Sequence, residues 1–364
     1  MSEDIPEPDR VEGAPHPRET SGLHGQDAAQ DAFLDAALGG RLHHGWMLTG
    51  PRGVGKATLA WRIARWVVAE MPQGEAGLYI PPDHSVFRRI AALGEPRVQL
   101  CRRPWDDKTR KLRKQITVDE IRRLKSFFTL SAADGGWRVA IIDAMDELNI
   151  AAQNALLKVL EEPPERVLFL MVCHQPGRLL PTIRSRCREL RLVPLDEGSL
   201  ASAMMDAGFA PGGESAALAE LSGGSAGEAV RLIAEDGLAL YRDLVALAGT
   251  APRLDRAAAI RVAEACAGRG AEDRFDLAVR LISLLLARLA RTGATGTAPA
   301  EAVPGEAAIL LRLSPHPSAA QGWAGLAETS GQRIGHARLV NLDPAQVILD
   351  TFLAFDDVAR RQFQ

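Results

Sequence analysis

The sequence has few cysteines and no cluster of them. Its four cysteines, Cys101, Cys173, Cys187 and Cys266, are too far apart to form the close pairs of a zinc site or the framework of a small disulfide-rich protein. We therefore predict no bound zinc and a reducing compartment.

The sequence also lacks a long apolar run and a strong excess of either charge. No apolar stretch approaches the ~20 residues that span a bilayer, and the acidic, proline-containing N-terminus does not resemble a signal peptide. The 43 basic and 46 acidic residues give a formal net charge of −3, so composition favours neither nucleic acid nor a membrane as partner. These features predict a cytoplasmic protein without membrane association. Its 364 residues suffice for two or three domains.

Residues 46–58 have the pattern of a strand, a glycine-rich loop and a helix. An apolar run precedes three glycines, whose backbone freedom lets successive N–H groups face one point, and a lysine then begins the helix. The spacing matches the phosphate-binding pattern G-x-x-x-x-G-K-[ST] except at its last position. We predict a phosphate-binding loop here, with ATP as the candidate ligand. The site residues are Gly50, Pro51, Arg52, Gly53, Val54, Gly55, Lys56, Ala57 and Thr58.

The altered last position is Ala57, where a serine or threonine hydroxyl would bind Mg²⁺. Thr58 lies about 100° further around the helix and cannot simply substitute. Asp143 ends an apolar stretch at 137–143, and an acid at such a strand end can orient Mg²⁺. Ala144 follows, where hydrolytic enzymes of this kind place a catalytic glutamate, and we do not expect Glu147 to reach that point. The sequence thus makes Mg²⁺ binding doubtful.

The rest of the chain divides by composition. Residues 1–20 are polar and proline-rich, which predicts a disordered tail. Residues 21–195 alternate apolar strands with helices and predict an α/β domain. Within it, Asn149 can cap a helix at 150–162. Residues 196–238 predict short helices. Residues 239–364 are nearly all helical, with a flexible connection at 292–304.

Residues 102–114 carry seven basic and two acidic side chains around Trp105. Such a stretch could contact nucleic acid. It could also be a solvated hairpin or a docking surface for a protein partner. We favour the second interpretation because one short basic run rarely decides DNA binding.

Three segments, GPRGVGKAT, NALLKVLEEPPE and LLPTIRSRCREL, together resemble the bacterial DNA polymerase III clamp-loader subunits over about residues 21–240. The resemblance implies a RecA-like AAA+ P-loop domain at 21–195, a small helical lid at 196–238 and an all-α collar at 239–364. It also implies partners: the motor subunits and the delta subunit in a hetero-pentameric ring, and the sliding clamp and primed DNA through that complex.

The departures from the family pattern indicate which role this chain takes. Motor subunits of the family keep the Mg²⁺-binding hydroxyl, the catalytic glutamate, a lid arginine and four zinc-binding cysteines. This chain has Ala57, Ala144 and Gly227 at the first three positions, and only Cys101 between the loop lysine and the acidic strand end. Arg186, within the family's Ser-Arg-Cys motif, is retained. The resemblance therefore implies a subunit that hydrolyses little or no ATP and supplies Arg186 in trans to a neighbour's ATP.

Two alternatives remain open at the level of sequence. The intact glycines, lysine and Asp143 would also suit an autonomous P-loop ATPase or phosphotransferase, such as a motor-type clamp-loader subunit. Arg186 could instead form an ordinary ion pair at the surface of its own domain.

Overall fold

The computed structural model describes residues 6–74, 77–129, 135–210, 212–268, 272–340 and 342–362. These residues form two compact units. The P-loop unit contains the described residues of 1–210 together with 224–228, and the helical unit contains those of 211–223 and 229–364. Residues 196–238, the predicted lid, thus contribute to both units.

A parallel sheet forms the centre of the P-loop unit. The strands are β1 (Gly45–Thr49), β2 (Val98–Arg102), β3 (Trp105–Asp106), β4 (Lys111–Leu112), β5 (Arg138–Asp143), β6 (Val167–Val172) and β7 (Arg188–Arg191). In the described part of the chain, five of them pair in the spatial order β2-β5-β6-β1-β7, and all of these pairs are parallel. Every residue of β1 and β6 is buried, as expected for parallel strands covered on both faces. The predicted α/β fold is confirmed.

Helices cover both faces of this sheet. They are α1 (Asp27–Leu38), α2 (Lys56–Val68), α3 (Ser85–Ala91), α4 (Val118–Thr129), α5 (Ile150–Glu161), α6 (Pro181–Arg184) and α7 (Glu197–Asp206). Alternate residues of β5 enter different cores. Val139 and Ile141 pack on the side of α1 to α3, whereas Ala140 and Ile142 pack on the side of α4 and α5. The Asn149 side chain accepts a hydrogen bond from the Ala152 N–H at 2.8 Å and caps α5, as predicted.

The basic stretch at 102–114 contains the antiparallel pair β3–β4, as the hairpin interpretation predicts. Asp106 accepts hydrogen bonds from the backbone N–H groups of Lys108 and Thr109, each at 3.1 Å, and these bonds form the turn. Arg113 pairs with the same aspartate at 3.3 Å. Part of the positive charge of this stretch is therefore neutralised within the hairpin itself.

The N-terminal residues 6–20 pack against the P-loop unit, which differs from the predicted disordered tail; residues 1–5 of that prediction lie outside the described residues. His16 is fully buried, and its ring nitrogen lies 3.1 Å from the Asp9 carboxylate. Arg18 pairs with Glu7 at 2.7 Å. The polar composition of this segment suggested disorder, but its polar side chains pair with one another within the folded unit.

The helical unit is built from helices of 8 to 24 residues. They are α8 (Ser215–Ser222), α9 (Ala226–Ala234, whose first residues belong to the P-loop unit), α10 (Gly237–Gly249), α11 (Arg256–Ala265), α12 (Glu272–Thr295), α13 (Glu306–Leu313), α14 (Pro317–Leu339) and α15 (Pro344–Gln362). Within the described ranges, no helix is both long and apolar enough to cross a membrane.

A buried ion pair fixes the segment between α12 and α13. Glu306 is 0% exposed, and its carboxylate lies 2.7 Å from Nε of Arg288. The Tyr241 hydroxyl and the Ala302 N–H also donate to Glu306, at 2.6 and 2.8 Å. The predicted flexible connection at 292–304 is therefore partly ordered. α12 extends to Thr295, and the segment beyond it is held by Glu306.

Glu306→Gln should destabilise the chain strongly, because it removes the nearer and fully buried counter-charge of the Arg288 guanidinium and leaves it the partly exposed Glu220 at 3.2 Å. We expect a loss of about 3–5 kcal/mol in the free energy of unfolding, measured by urea titration. The control is Asp350→Asn, which removes an exposed ion pair to Arg333 and should cost less than about 1 kcal/mol. Equal losses in the two variants would contradict the importance of the buried pair.

Candidate functional site

The parallel register brings the ends of three strands to one edge of the sheet. Leu48 of β1 pairs with Val172 of β6, and Val172 pairs on its other side with Asp143 of β5. The loop after β1, the acid that ends β5 and the residues after β6 therefore meet at this edge. The predicted phosphate loop and Asp143 share one site.

The phosphate loop has the backbone that its glycines predict. Gly50, Gly53 and Gly55 have φ values of 134°, 73° and 101°, a region that other residues rarely adopt. A side chain at Gly50 would collide with the carbonyl oxygen of Leu192, and one at Gly53 would collide with the Ser225 hydroxyl. Glycine is thus required here both for conformation and for space.

Gln26 links the phosphate loop to the segment after β7. This residue was not identified from the sequence alone. Its side-chain amide donates to the carbonyl oxygens of Val54 and Val193, at 3.1 and 2.8 Å. Its oxygen accepts from the Val193 N–H at 3.2 Å. Gln26 is 2% exposed, and a buried amide must find such partners. The one feature of the sequence that could have suggested this contact is the position of Gln26 immediately before α1.

Lys56 is folded back onto its own loop. Its Nζ donates to the carbonyl oxygen of Gly50 at 2.7 Å and also to that of Pro51. Burial lowers the pKa of this ammonium group to about 8, against the opposing effect of the Asp143 and Asp146 carboxylates. The cation is therefore held among backbone carbonyls at the place where phosphate oxygens would compete for it.

Asp143 lies in a poor environment for a charged carboxylate. Burial, together with the nearby negative charges of Asp9 and Glu147, raises its pKa to about 8. Lys56 acts in the opposite direction. A carboxyl group that retains its proton near neutral pH is a weak ligand for Mg²⁺, since metal binding requires the ionised form.

Glu147 contacts the loop through an arginine. It lies in the short 3₁₀ turn Met145–Glu147, and its carboxylate is 2.9 Å from Arg103 and 3.7 Å from Arg52. Both carboxylate oxygens are thus engaged with guanidinium groups. Ala144, at the position of the catalytic glutamate, is buried and presents only a methyl group.

A pocket of about 540 Å³ opens beside the loop. Arg52, Lys114 and Arg178 supply positive charge to its lining, and Asp146 and Glu147 supply negative charge. Asp146 also accepts a hydrogen bond from the His174 N–H at 2.8 Å, which ties the turn after β5 to the end of β6. The pocket is therefore polar and built from the same strand ends as the loop.

Gly227, at the expected lid-arginine position, is packed directly on the loop. Its N–H donates to the Gly53 carbonyl oxygen at 3.1 Å, and an added Cβ would lie 3.1 Å from the Gly53 Cα. Ser225 accepts the Glu228 N–H at 3.1 Å and helps to form this turn. The short distance leaves little room for a side chain at this position.

Arg186 lies at a different place, between α6 and β7. Its guanidinium pairs with Glu161 at 3.0 Å and donates to the Thr182 carbonyl oxygen at 3.0 Å. The Arg186 and Glu161 side chains are 36% and 48% exposed. Arg186 is thus reachable from solvent, and the carboxylate of Glu161 that pairs with it lies at the surface, where such pairs contribute about 1 kcal/mol or less.

His174 should make the chain sensitive to acid. Burial lowers its pKa to about 4, with Lys56 adding to the effect, so the folded chain resists a proton that the unfolded chain binds below about pH 6.5. The contribution of His174 to stability should fall by about 1–2 kcal/mol as the pH drops from 7.5 to 5, whereas the raised pKa of Asp143 acts in the opposite direction. His174→Gln should remove the contribution of the histidine, so the unmodified chain should lose about 1–2 kcal/mol relative to the variant between these two pH values, measured by urea unfolding. An unchanged pH dependence in the variant would contradict this assignment.

Comparison with known proteins finds a matching family model and several relatives. The family model described as DNA polymerase III, delta subunit matches residues 25–196. A DNA polymerase III subunit delta' of Pseudomonas aeruginosa is 36% identical over 206 residues, which cover 55% of this chain and 59% of the relative. Another from Yersinia pestis is 38% identical over 149 residues, covering 41% of each.

A third relative is DNA polymerase III subunit tau of Escherichia coli, 32% identical over 181 residues that cover 50% of this chain and 26% of tau. The matched regions thus span between 26% and 59% of these relatives' lengths. Among solved structures, a DNA polymerase III gamma subunit-related protein from Thermotoga maritima aligns with a TM-score of 0.42 and 17% identity, over 92% of this chain and 100% of that one. A likeness this weak supports no conclusion about function.

The residues that the family model matches lie in the P-loop unit, whose sheet order and loop geometry are described above. Through this region, the chain is similar to DNA polymerase III clamp-loader subunits of the delta-prime type.

Proposed function

We propose that this chain is a clamp-loader subunit that hydrolyses little or no ATP itself and supplies Arg186 to the ATP of a neighbouring motor subunit. The observation that carries the proposal is the contrast between two sites. Arg186 is solvent-accessible and held by a surface ion pair. The predicted nucleotide site of the same chain, in contrast, lacks three side chains that hydrolysis uses. A planar, permanently charged guanidinium suits the charge that develops on phosphoryl oxygens.

The loss of hydrolysis follows from the site's chemistry. Ala57 has no hydroxyl for Mg²⁺, the buried Ala144 cannot orient a water molecule, and Gly227 has no side chain to reach a phosphate. The high pKa of Asp143 further weakens metal binding. An autonomous ATPase or phosphotransferase, the alternative function, would need other groups to supply each of these effects.

The loop nevertheless fits the phosphates of ATP. The left-handed glycines orient backbone N–H groups, and Lys56 is within reach because it already bonds the loop carbonyls. Bound nucleotide would draw Lys56 away from these carbonyls and add negative charge that favours its protonated form. We therefore propose phosphate-led ATP binding that depends little on Mg²⁺, and no zinc site.

The proposed partners are those of a clamp loader. The motor subunits and the delta subunit would complete a hetero-pentameric ring, with residues 196–238 serving as lid and 239–364 as collar. The sliding clamp and primed DNA would be engaged through that ring. The relatives' names, subunits delta' and tau of DNA polymerase III, support a multi-subunit setting.

The proposal is tested by Arg186→Ala and Arg186→Lys in the reconstituted loader with clamp and primed DNA. Both rings should assemble but hydrolyse ATP more slowly, because one site loses a group worth about 10³–10⁵ in rate. Lysine should not restore the rate, since a point charge cannot replace the planar fork. Steady-state ATP turnover and clamp loading are the measurements.

Glu161→Ala is the matched control, because it removes the same ion pair and leaves the guanidinium in place. Turnover should then stay near the unmodified value, and Arg188→Ala should likewise have little effect. If Glu161→Ala slows the ring as much as Arg186→Ala does, the ion pair matters for structure and the arginine does not act on ATP. Normal turnover in an assembled Arg186→Ala ring would also refute the proposal.

Restoring the missing hydroxyl gives a separate prediction. Ala57→Thr should increase the Mg²⁺ dependence of ATP binding by the isolated chain, because the added oxygen can coordinate the metal. The measurement is the dissociation constant with Mg²⁺ and with a chelator present. Strong tightening by Mg²⁺ in the unmodified chain would contradict phosphate-led binding.

A further inference from the structure

The N-terminal residues 6–20, here named the N-terminal strap, connect both sides of the phosphate loop. We propose that the strap is an intramolecular competitor of nucleotide, and that it must leave its position before ATP binds tightly. This inference rests on the proposed nucleotide binding and adds a regulatory element to it. Four groups of contacts in the P-loop unit carry it.

The first contacts join the strap to the acidic edge of the sheet. Asp9 lies 2.6 Å from the Arg102 guanidinium at the end of β2, and Glu7 lies 3.1 Å from the same arginine. Arg102 pairs in register with Asp143. The strap therefore places two carboxylates beside the strand end where the phosphate site has its own acid.

These strap carboxylates are well fixed. The Asp9 side chain is 1% exposed, and the ring nitrogen of the buried His16 lies 3.1 Å from its second oxygen. Glu7 is also held by Arg18 at 2.7 Å. Arg18 in turn donates to the Ala91 carbonyl oxygen at 2.9 Å, at the end of α3. Such a network of partly buried ion pairs has a defined geometry, unlike a solvated tail.

Val11 of the strap lies on the other side of the phosphate loop, next to the turn that contains Gly227. A Cβ built on Gly227 would lie 3.6 Å from a Val11 methyl group, and Gly227 itself bonds the Gly53 carbonyl oxygen at 3.1 Å. The strap thus runs between the acidic strand end and the turn that covers Gly53. These two points flank the loop whose N–H groups would receive phosphates.

The C-terminal end of the strap is tied to the helix that begins with Lys56. Arg65 of α2 donates to the carbonyl oxygens of Arg18 and Thr20, each at 2.9 Å. Arg62 of the same helix donates to the Ser21 carbonyl oxygen at 3.0 Å. Movement of the strap would therefore break hydrogen bonds to α2, the helix that begins with Lys56.

Electrostatics gives the direction of the effect. The phosphates of ATP are polyanionic, so two fixed carboxylates beside their site oppose binding through like-charge repulsion. The strap carboxylates also occupy Arg102, a cation that would otherwise be available to an anion. If only about a tenth of molecules have the strap released, the apparent dissociation constant rises about tenfold.

The test uses the full chain with Glu7→Gln and Asp9→Asn together, which keep side-chain shape and remove both charges. ATP binding is measured by calorimetry with a chelator present, so that Mg²⁺ plays no part. We expect the dissociation constant to fall about tenfold or more. The matched control is Glu165→Gln with Asp31→Asn, two exposed acids outside the strap whose loss changes net charge equally and should leave affinity nearly unchanged.

A second measurement covers the case in which the double variant folds poorly. Hydrogen exchange of residues 6–20 in the unmodified chain should become faster on saturation with ATP, because the strap is released. Unchanged exchange at saturation would overturn the proposal, as would equal affinities in the strap and control variants. Absence of ATP binding in every variant would overturn both the strap and the proposed nucleotide site, while Arg186 would still be judged by ring turnover.

Discussion

The parallel register of β1, β6 and β5 is the constraint on which the site depends. Because Leu48 and Asp143 both pair with Val172, the loop after β1 and the acid of β5 must emerge at one edge of the sheet. The same register places the residues after β6 between them. Buried apolar strands hold this arrangement, and the chemistry at the edge can change without disturbing it.

That separation underlies the proposed function, in which phosphate recognition persists without hydrolysis. Recognition depends on backbone N–H groups, glycine conformations and one lysine, which the fold itself positions. Hydrolysis depends on individual side chains at three positions, and small residues occupy all three here. Gly227 shows that the change is structural as well as chemical, because its backbone contacts Gly53 directly. In the proposed ring, such a chain contributes to hydrolysis if Arg186 acts on ATP that the neighbouring subunit binds.

Sequence reasoning predicted what depends on local pattern and missed what depends on distant partners. The strands, the loop and the Asn149 cap follow from spacing, apolar runs and glycine chemistry, and these predictions are confirmed. The N-terminal segment was interpreted as disordered because its composition is polar. Its order depends on Arg102, some 93 residues beyond Asp9 in sequence. Likewise, the connection after α12 looked flexible because Glu306 gives no sign in the sequence that it is buried against Arg288. The pairing of Arg186 with Glu161 was also foreseen only as a general possibility.

The most direct test of the account is ATP turnover by the purified chain alone, in the presence of Mg²⁺. The chain should be assayed both intact and without residues 1–20, so that the strap cannot be the reason for inactivity. The account predicts background turnover in both forms, because none of the three missing side chains is restored. Sustained turnover by either form, lost on Lys56→Ala, would contradict it and favour an autonomous ATPase.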